Sequence, residues 1–163
     1  MLKLTKKSDY GLIALVHLTT EPNRRSATAK EISEAYRIPL PLLSKVLQVL
    51  ARNGLLTSEQ GTKGGYRLAR DPRTITALEV IRAIDGPVLL ASCFHDATGC
   101  DQLQTCTVKA PLQKVHEGIL RLLDSVSISE MTANDIVWPI QGAVNYVPAG
   151  MRQAAAPAMR EIS

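Results

Sequence analysis

The sequence predicts a mainly α-helical protein that carries one small β-hairpin. Aromatic residues make up only 4% of its 163 residues, with a single Trp138 and a single Phe94. A core of Leu, Ile, Val and Ala is therefore expected, which suits helices better than a sandwich of sheets. Apolar residues recur at helical spacing along most of the chain, and one Gly-rich turn separates two short strand-like runs. This length accommodates one compact domain with an appended arm.

The first two helices are predicted from an apolar run and a capping signal. Residues 12–18 form a short apolar helix that stops near Pro22. The second helix starts near Thr28, whose hydroxyl can accept from a backbone amide while Glu31 reaches back to the start of the helix. This helix is expected to end by Pro39.

A third helix is predicted from Pro41 to Asn53. Pro41 suits its first position because proline lacks an N–H that is not needed there, and Gly54 is a suitable C-cap. Its apolar face comprises Leu43, Val46, Leu47 and Leu50. Its opposite face comprises Pro41, Ser44, Lys45, Gln48 and Arg52. The short connection at residues 36–39 indicates a helix-turn-helix, and the polar face could read base edges and phosphates or be an ordinary exposed surface.

A β-hairpin after the third helix predicts the wing of a winged helix. Residues 55–59 and 66–68 are strand-like, and residues 61–65 form a Gly-rich turn that brings Lys63 to the tip. A nucleotide-binding loop is disfavoured because no Lys-Ser/Thr pair follows the glycines. The predicted DNA-contacting residues are Thr28, Pro41, Ser44, Lys45, Gln48, Arg52, Lys63, Gly64 and Tyr66.

Charge is distributed unevenly along the chain. Residues 1–70 hold 12 of the 19 Lys and Arg residues but only 5 of the 15 Asp and Glu residues, a net charge of +7 against −3 for the remainder. A confined positive excess fits phosphate binding, although a solvated basic face has the same composition. The apolar run at residues 11–16 is too short for a signal peptide or a membrane span, so a cytoplasmic protein is expected.

The second half of the chain is predicted to contain two more helices. A second capping box, Thr76 to Glu79, opens a helix that closes at residues 85–87. Residues 110–126 form a long amphipathic helix whose apolar face could pack on its own domain but more often pairs subunits, so we expect a homodimer on a palindromic operator. Residues 132–163 lack clear periodicity and are expected to be a loosely ordered tail without an assigned role.

Three cysteines fall within one short loop between these helices. Cys93, Cys100 and Cys106 are odd in number and lie in a chain expected in a reducing compartment, which argues against a disulfide framework. Thiolates bind zinc, copper or iron–sulfur clusters, and three of them require a fourth ligand of another kind. The spacing is less natural for structural zinc. Three unrelated buried cysteines are the simplest alternative, and an enzyme with a cysteine nucleophile is disfavoured because no catalytic partners accompany the thiols.

In combination these segments resemble the Rrf-type winged-helix transcription regulators, a family that includes the IscR, NsrR and SUF-system regulators. The resemblance spans residues 2–131 and rests on residues 4–11, the wing at 61–68, residues 75–81 and the three cysteines. It implies a dimer crossed through the long helix, a 4Fe-4S or 2Fe-2S cluster near the dimer interface, and control of iron–sulfur assembly or nitrosative-stress operons. Ser8 to Gly11, residues 51–56 and residues 85–87 are most similar to the SUF-system branch.

The resemblance leaves the fourth cluster ligand to be decided. IscR-type members have a His three residues after the last cysteine, where this chain has Lys109, which cannot bind a metal while protonated. Asp9 matches the position of a carboxylate that NsrR-type members supply from the partner subunit, although an acidic residue there also stabilises a helix dipole. His95 is the main rival and His116 a more distant one, whereas His17 is interpreted as an ordinary helix residue.

The sequence thus predicts a DNA-binding regulator, most simply a repressor, that senses iron–sulfur or redox status through a cluster and controls iron–sulfur assembly genes. A nitric-oxide-sensing repressor and a winged-helix regulator with a zinc or bare-thiol switch are the alternatives. No enzymatic activity is expected.

Overall fold

The computed structural model describes residues 4–20, 26–61, 64–91, 94, 102 and 105–132. Within that part of the chain the elements, in order, are α1 (Lys6–Thr20), α2 (Ala29–Tyr36), α3 (Leu40–Arg52), β1 (Leu56–Glu59), β2 (Gly65–Leu68), α4 (Ala77–Asp85) and α5 (Lys109–Ser125). The predicted mainly α fold with a small β-wing is confirmed. No helix among these residues is long and apolar enough to cross a lipid bilayer.

The start of α2 is the capping box that the sequence predicts. The Thr28 hydroxyl accepts from the Glu31 amide at 3.1 Å, and the Glu31 carboxylate accepts from the Thr28 amide at 2.8 Å. The helix ends at Tyr36 and is capped by Arg37, which adopts the left-handed conformation with φ 54° and donates its N–H to the Ser33 carbonyl. This residue makes the turn between α2 and α3.

The start of α3 differs by one residue from the prediction. The helix begins at Leu40 with Pro39 as its N-cap, so Pro41 occupies the second position rather than the first. The reason is that the first four amides of a helix have no partner within it, and a proline is tolerated at either place. Gly54 follows the helix with φ +73°, as its predicted capping role requires.

The wing is a two-stranded antiparallel hairpin that is tied to α2. β1 pairs with β2 from Leu56 opposite Leu68 to Glu59 opposite Gly65. In addition, the Tyr66 amide donates to the Ala27 carbonyl at 2.8 Å, and the Ala27 amide donates to the Tyr66 carbonyl at 3.0 Å. The wing is therefore held by the residue just before the α2 cap.

The start of α4 forms only half of the predicted capping box. The Thr76 hydroxyl accepts from the Glu79 amide at 3.2 Å, as expected. The Glu79 carboxylate is instead engaged by the Arg70 guanidinium. A full positive charge offers the carboxylate a stronger partner than a backbone amide does, so the reciprocal arm predicted from sequence is wrong.

The hydrophobic core lies between the first four helices and the foot of the wing. Its largest fully buried apolar side chains are Leu15, Ile32, Leu43, Leu47, Leu50, Leu55, Ile75, Val80 and Ile128. Ile128 lies beyond α5 and returns to this core, where its amide donates to the Ile75 carbonyl at 2.9 Å. α5 is thus anchored at its end, while its length packs along α4.

Candidate functional site

The exposed face of α3 carries the polar residues that the sequence assigns to it. Lys45, Gln48 and Arg52 are exposed, as is Pro41, and Ser44 is half-buried. The four residues of the opposite apolar face are buried: Leu43, Val46, Leu47 and Leu50. The predicted division of α3 into a core face and a polar outer face is confirmed.

The cations of α3 and of the wing differ in whether they form ion pairs with carboxylates. In the wing, the Arg67 guanidinium lies 2.9 Å from the Glu59 carboxylate. No carboxylate among the described residues pairs with Lys45 or Arg52. These two charges are consequently available to phosphate oxygens, with which exposed cations interact favourably.

The predicted DNA-contacting residues outside α3 include several with structural roles. Gly64 donates its N–H to the Gly61 carbonyl at 2.9 Å, and a Cβ on Gly64 would overlap the Glu59 carbonyl oxygen. Tyr66 is half-buried against the core. The Thr28 hydroxyl is occupied in capping α2, and Lys63 lies outside the described residues.

The cysteine loop connects α4 to α5. It begins at Gly86, whose φ of +81° turns the chain away from α4, and it reaches α5 at Lys109. Cys106 is half-buried and its thiol is free. Cys93, Cys100 and His95 lie outside the described residues, and within the described ranges no three His, Cys, Asp or Glu side chains come together as a metal-binding group.

An aromatic contact joins this loop to the middle of α5. The Phe94 and His116 rings are stacked, with their centroids 5.1 Å apart and their planes inclined by 27°. His17 makes a separate edge-on contact with Tyr36, its Nδ1 lying 3.4 Å from the phenol oxygen, which fits its interpretation as an ordinary helix residue. Neither pair was predicted from the sequence, because the partners are distant along the chain.

Asp9 lies in the first turn of α1, with its side chain exposed. The neighbouring Ser8 is fully buried, and its hydroxyl donates to Asp85 Oδ2 at 2.6 Å. The Thr5 hydroxyl donates to Asp85 Oδ1 at 2.8 Å. One carboxylate at the end of α4 therefore holds the start of α1 at the base of the cysteine loop. The sequence did not predict this role, because the partners of Asp85 are distant along the chain.

A cleft of about 380 Å³ lies beside this carboxylate. It is lined by the two residues just before α1, the end of α4, the first residues of the cysteine loop and the last turns of α5. Most of the lining is aliphatic, including Leu4, Ile81, Ile119 and Leu123. The cleft thus separates the winged helix from α5 along part of their boundary.

Apolar side chains of α5 are unusually exposed. None of its 17 residues is buried. Val108, just before the helix, is 56% exposed, Leu112 is 37% exposed and Val115 is 52% exposed. Their spacing of four and three residues places them on one side of the helix. This set, here called the α5 stripe, is apolar surface that the described chain leaves in solvent.

Comparison with known proteins gives the family. Residues 4–134 match the Rrf2 family model, described as an iron-dependent transcriptional regulator. The chain belongs to the Rrf2 family. It is therefore a DNA-binding transcription regulator and not an enzyme, and the family resemblance inferred from its motifs is confirmed.

Three individual proteins are similar to this chain. The HTH-type transcriptional regulator NsrR of Shouchella clausii is 29% identical over 135 residues, covering 82% of this chain and 91% of that protein. The structure of IscR of T. potens is 30% identical with a TM-score of 0.62, covering 80% of this chain and 85% of that one. The structure of CymR, the global cysteine regulator of B. subtilis, is 24% identical with a TM-score of 0.67, covering 81% and 97% of the two chains. The last likeness supports the fold alone.

Proposed function

We propose that this Rrf2 regulator is a homodimeric repressor that binds a DNA operator through α3 and the wing and senses iron–sulfur status through a cluster held by Cys93, Cys100 and Cys106. The expected targets are iron–sulfur assembly genes. The observation that carries the sensing proposal is the confinement of all three cysteines to the loop between α4 and α5.

The DNA interface of this proposal is the outer face of α3. Lys45 and Arg52 are exposed without a carboxylate partner among the described residues, and Gln48 lies between them along the helix. A glutamine amide can make two hydrogen bonds to an adenine edge, and cations bind guanine or phosphate. Pro41, Ser44, Thr28, Lys63, Gly64 and Tyr66 complete the proposed contact set.

The operator can be selected from a pool of random duplexes and used to test this face. Gln48→Ala should cost roughly 1–3 kcal/mol of operator binding and relax specificity at one position, if it contacts a base. The dependence of operator affinity on salt is measured as the slope of log affinity against log salt concentration. Lys45→Ala and Arg52→Ala should each lower the magnitude of this slope by about one unit if the native side chain binds a phosphate. Lys114→Ala, which removes an exposed cation from α5, is the charge-matched control. Unchanged affinity in all three α3 variants would exclude this face.

The donor set of the loop fits an iron–sulfur cluster. Thiolates are the usual ligands of such clusters, and the Cys106 thiol is half-buried and not consumed in a disulfide. Asp9 of the partner subunit is proposed as the fourth ligand, since it is exposed at the start of α1 and matches the carboxylate position of NsrR-type members. The bound cluster would supply a group that reacts with oxygen or nitric oxide and that can lose iron. Among its protein ligands, the carboxylate would bind iron most weakly.

Protein purified without oxygen tests the cofactor. We expect visible absorption bands together with bound iron and sulfide, and Cys→Ser at position 93, 100 or 106 should abolish them. Asp9→Ala should keep the fold but shorten the lifetime of the cluster and change operator affinity. If Asp9→Ala matches the parent protein while His95→Ala loses the cluster, His95 replaces Asp9 in the proposal. A colourless protein with one bound zinc, or with no metal, would support the zinc or bare-thiol alternative.

Dimerisation through α5 is the third part of the proposal. A helix with no buried residue and an exposed α5 stripe has unfavourable apolar hydration, which a symmetric contact with a second copy would relieve. Val115→Glu should therefore give monomers in sedimentation analysis. Lys114→Gln makes the same change in net charge at the neighbouring exposed residue and should leave the dimer intact. A dimer in both variants would locate the interface elsewhere.

A nitric-oxide-sensing repressor is the second candidate, and the 29% identity to an NsrR favours it. The same DNA face and cluster loop would serve both functions. Exposure of the cluster-loaded protein to nitric oxide and to iron chelation, each followed by an operator-binding assay, separates them. Release of the operator at low nitric oxide but not on mild iron limitation would favour this candidate.

A further inference from the structure

The contact between Phe94 and His116 links two parts of the protein that the proposed function uses separately. Phe94 follows Cys93 directly in the chain, and its amide donates to the Ala91 carbonyl at 3.2 Å. His116 lies in the middle of α5. Their rings are stacked with centroids 5.1 Å apart. The residue next to a proposed cluster ligand is thus held against the long helix.

The surroundings of the two rings are polar. Lys109, Gln113 and Glu117 line the same recess, of about 280 Å³, and the Gln113 amide donates to the Glu117 carboxylate at 3.2 Å. Residues 109, 113 and 116 are spaced by four and three, so they share one side of α5. The recess is therefore mostly polar, and the two stacked rings form part of its lining.

This side of α5 adjoins the α5 stripe without coinciding with it. Residues 109, 113 and 116 each follow a stripe residue by one position, which rotates them by about 100° around the helix. One side of α5 consequently contacts Phe94, while the neighbouring apolar side remains in solvent in the single chain. A change in the loop would act on a helix whose other side is proposed to pair subunits.

We propose that Phe94 and His116 are positioning residues: their stack holds Phe94, the residue that follows Cys93 in the chain, against α5, and His116 acts as an aromatic partner and not as a cluster ligand. The proposal rests on the proposed function, because Phe94 matters for sensing only if Cys93 binds a cluster. The stack itself is present in the protein without a cluster. A stacked aromatic pair is more stable than its buried area alone would make it. Loss of the stack should therefore raise the equilibrium constant for separation of Phe94 from α5 by about 2- to 12-fold.

The first test uses the reduced full-length protein without a cluster. The rate of maleimide labelling is measured separately at each cysteine by peptide mass spectrometry. Phe94→Ala and His116→Ala should each raise labelling of Cys93 by about 2- to 12-fold relative to Cys106, which serves as the internal control. His116→Phe keeps an aromatic ring and should restore the parent rate. Gln113→Ala, in the same recess but without a ring, should have no effect.

The second test separates positioning from metal binding. After reconstitution with iron and sulfide, His116→Phe should keep the spectrum and lifetime of the parent cluster, whereas His116→Ala should keep the spectrum and lose the cluster faster. A changed spectrum in both variants would identify His116 as a ligand and overturn the proposal. Parent-like labelling in Phe94→Ala would also overturn it. If the parent protein binds no cluster, the proposed function fails, and the labelling test still decides whether the stack holds the loop.

Discussion

The Asp85 carboxylate should contribute a measurable part of the stability of the fold. It accepts hydrogen bonds from the hydroxyls of Thr5 and Ser8, but the two bonds are unequal. Thr5 and Asp85 are exposed, so water can replace their mutual bonds when the carboxylate is removed. Ser8 is fully buried, and its hydroxyl would lose its charged acceptor in a place that water does not reach. We expect Asp85→Ala to cost about 1.5–3 kcal/mol.

A double-mutant cycle isolates the buried bond. Ser8→Ala removes the donor and leaves an exposed carboxylate that Thr5 and water still satisfy, so it should cost at most about 1 kcal/mol. Asp85→Ala should then cost only about 0.5 kcal/mol more in the Ser8→Ala background, because no buried hydroxyl remains without an acceptor. Asp124→Ala is the control, since this exposed carboxylate accepts one hydroxyl bond, from Thr76 at 3.1 Å, and should cost under about 1 kcal/mol.

Urea unfolding of the cluster-free protein, followed by far-UV circular dichroism at one fixed protein concentration, measures these free energies. An Asp85→Ala stability within about 0.5 kcal/mol of the parent would refute the reasoning. So would full additivity of the Ser8 and Asp85 substitutions, because it would show that the two side chains do not interact.

Three further predictions concern single positions. Arg37→Gly should stabilise the fold by up to about 1 kcal/mol in thermal unfolding, because glycine adopts φ 54° without the penalty of a Cβ, whereas Arg37→Ala removes the same charge without that gain. Gly65→Ala should destabilise the fold by about 1–3 kcal/mol and weaken operator binding, because its Cβ would lie 2.6 Å from the Ala27 carbonyl oxygen; Gly118→Ala, which points into open space, should not. The Ser127 amide and hydroxyl hold the pKa of Glu130 below its ordinary value of 4.5, so Glu130→Gln should be less stable than the parent at neutral pH, and the difference should vanish as acid titration passes the folded pKa.

Local signals made the helices predictable. The Thr28 capping box, the Gly54 cap and the apolar spacing of α3 each depend on residues within one helical turn, and each is present in the structure. The long helix was predicted at residues 110–126 and is found at Lys109–Ser125. Such features are encoded by neighbours in sequence, so periodicity and caps are enough to find them.

Contacts between distant segments could not be predicted in this way. The bond from Ser8 to Asp85 joins residues 77 positions apart, and the stack of Phe94 on His116 joins two separate segments of the chain. The Glu79 carboxylate illustrates the same limit, because a local rule assigned it to its own helix start while Arg70 competes for it from the end of the wing. The DNA contacts and the cluster ligands remain predictions of the motifs and the family resemblance.

These distant contacts give a physical route from the cysteine loop to α3. Asp85 fixes the end of α4 to the start of α1 just where the loop begins. Within α1, Gly11 is so close to α4 that a Cβ there would overlap Ile84, and the same Cβ would lie 3.5 Å from Val46 of α3. α1 is therefore packed against both α4 and α3 at one residue that has no side chain to deform. Closely packed interiors transmit displacement because they contain few voids. A shift at the base of the loop that moves Asp85 must accordingly move α1 or break the hydrogen bond to the buried Ser8. A shift of α1 in turn changes the packing that supports α3 on the side opposite Lys45 and Arg52.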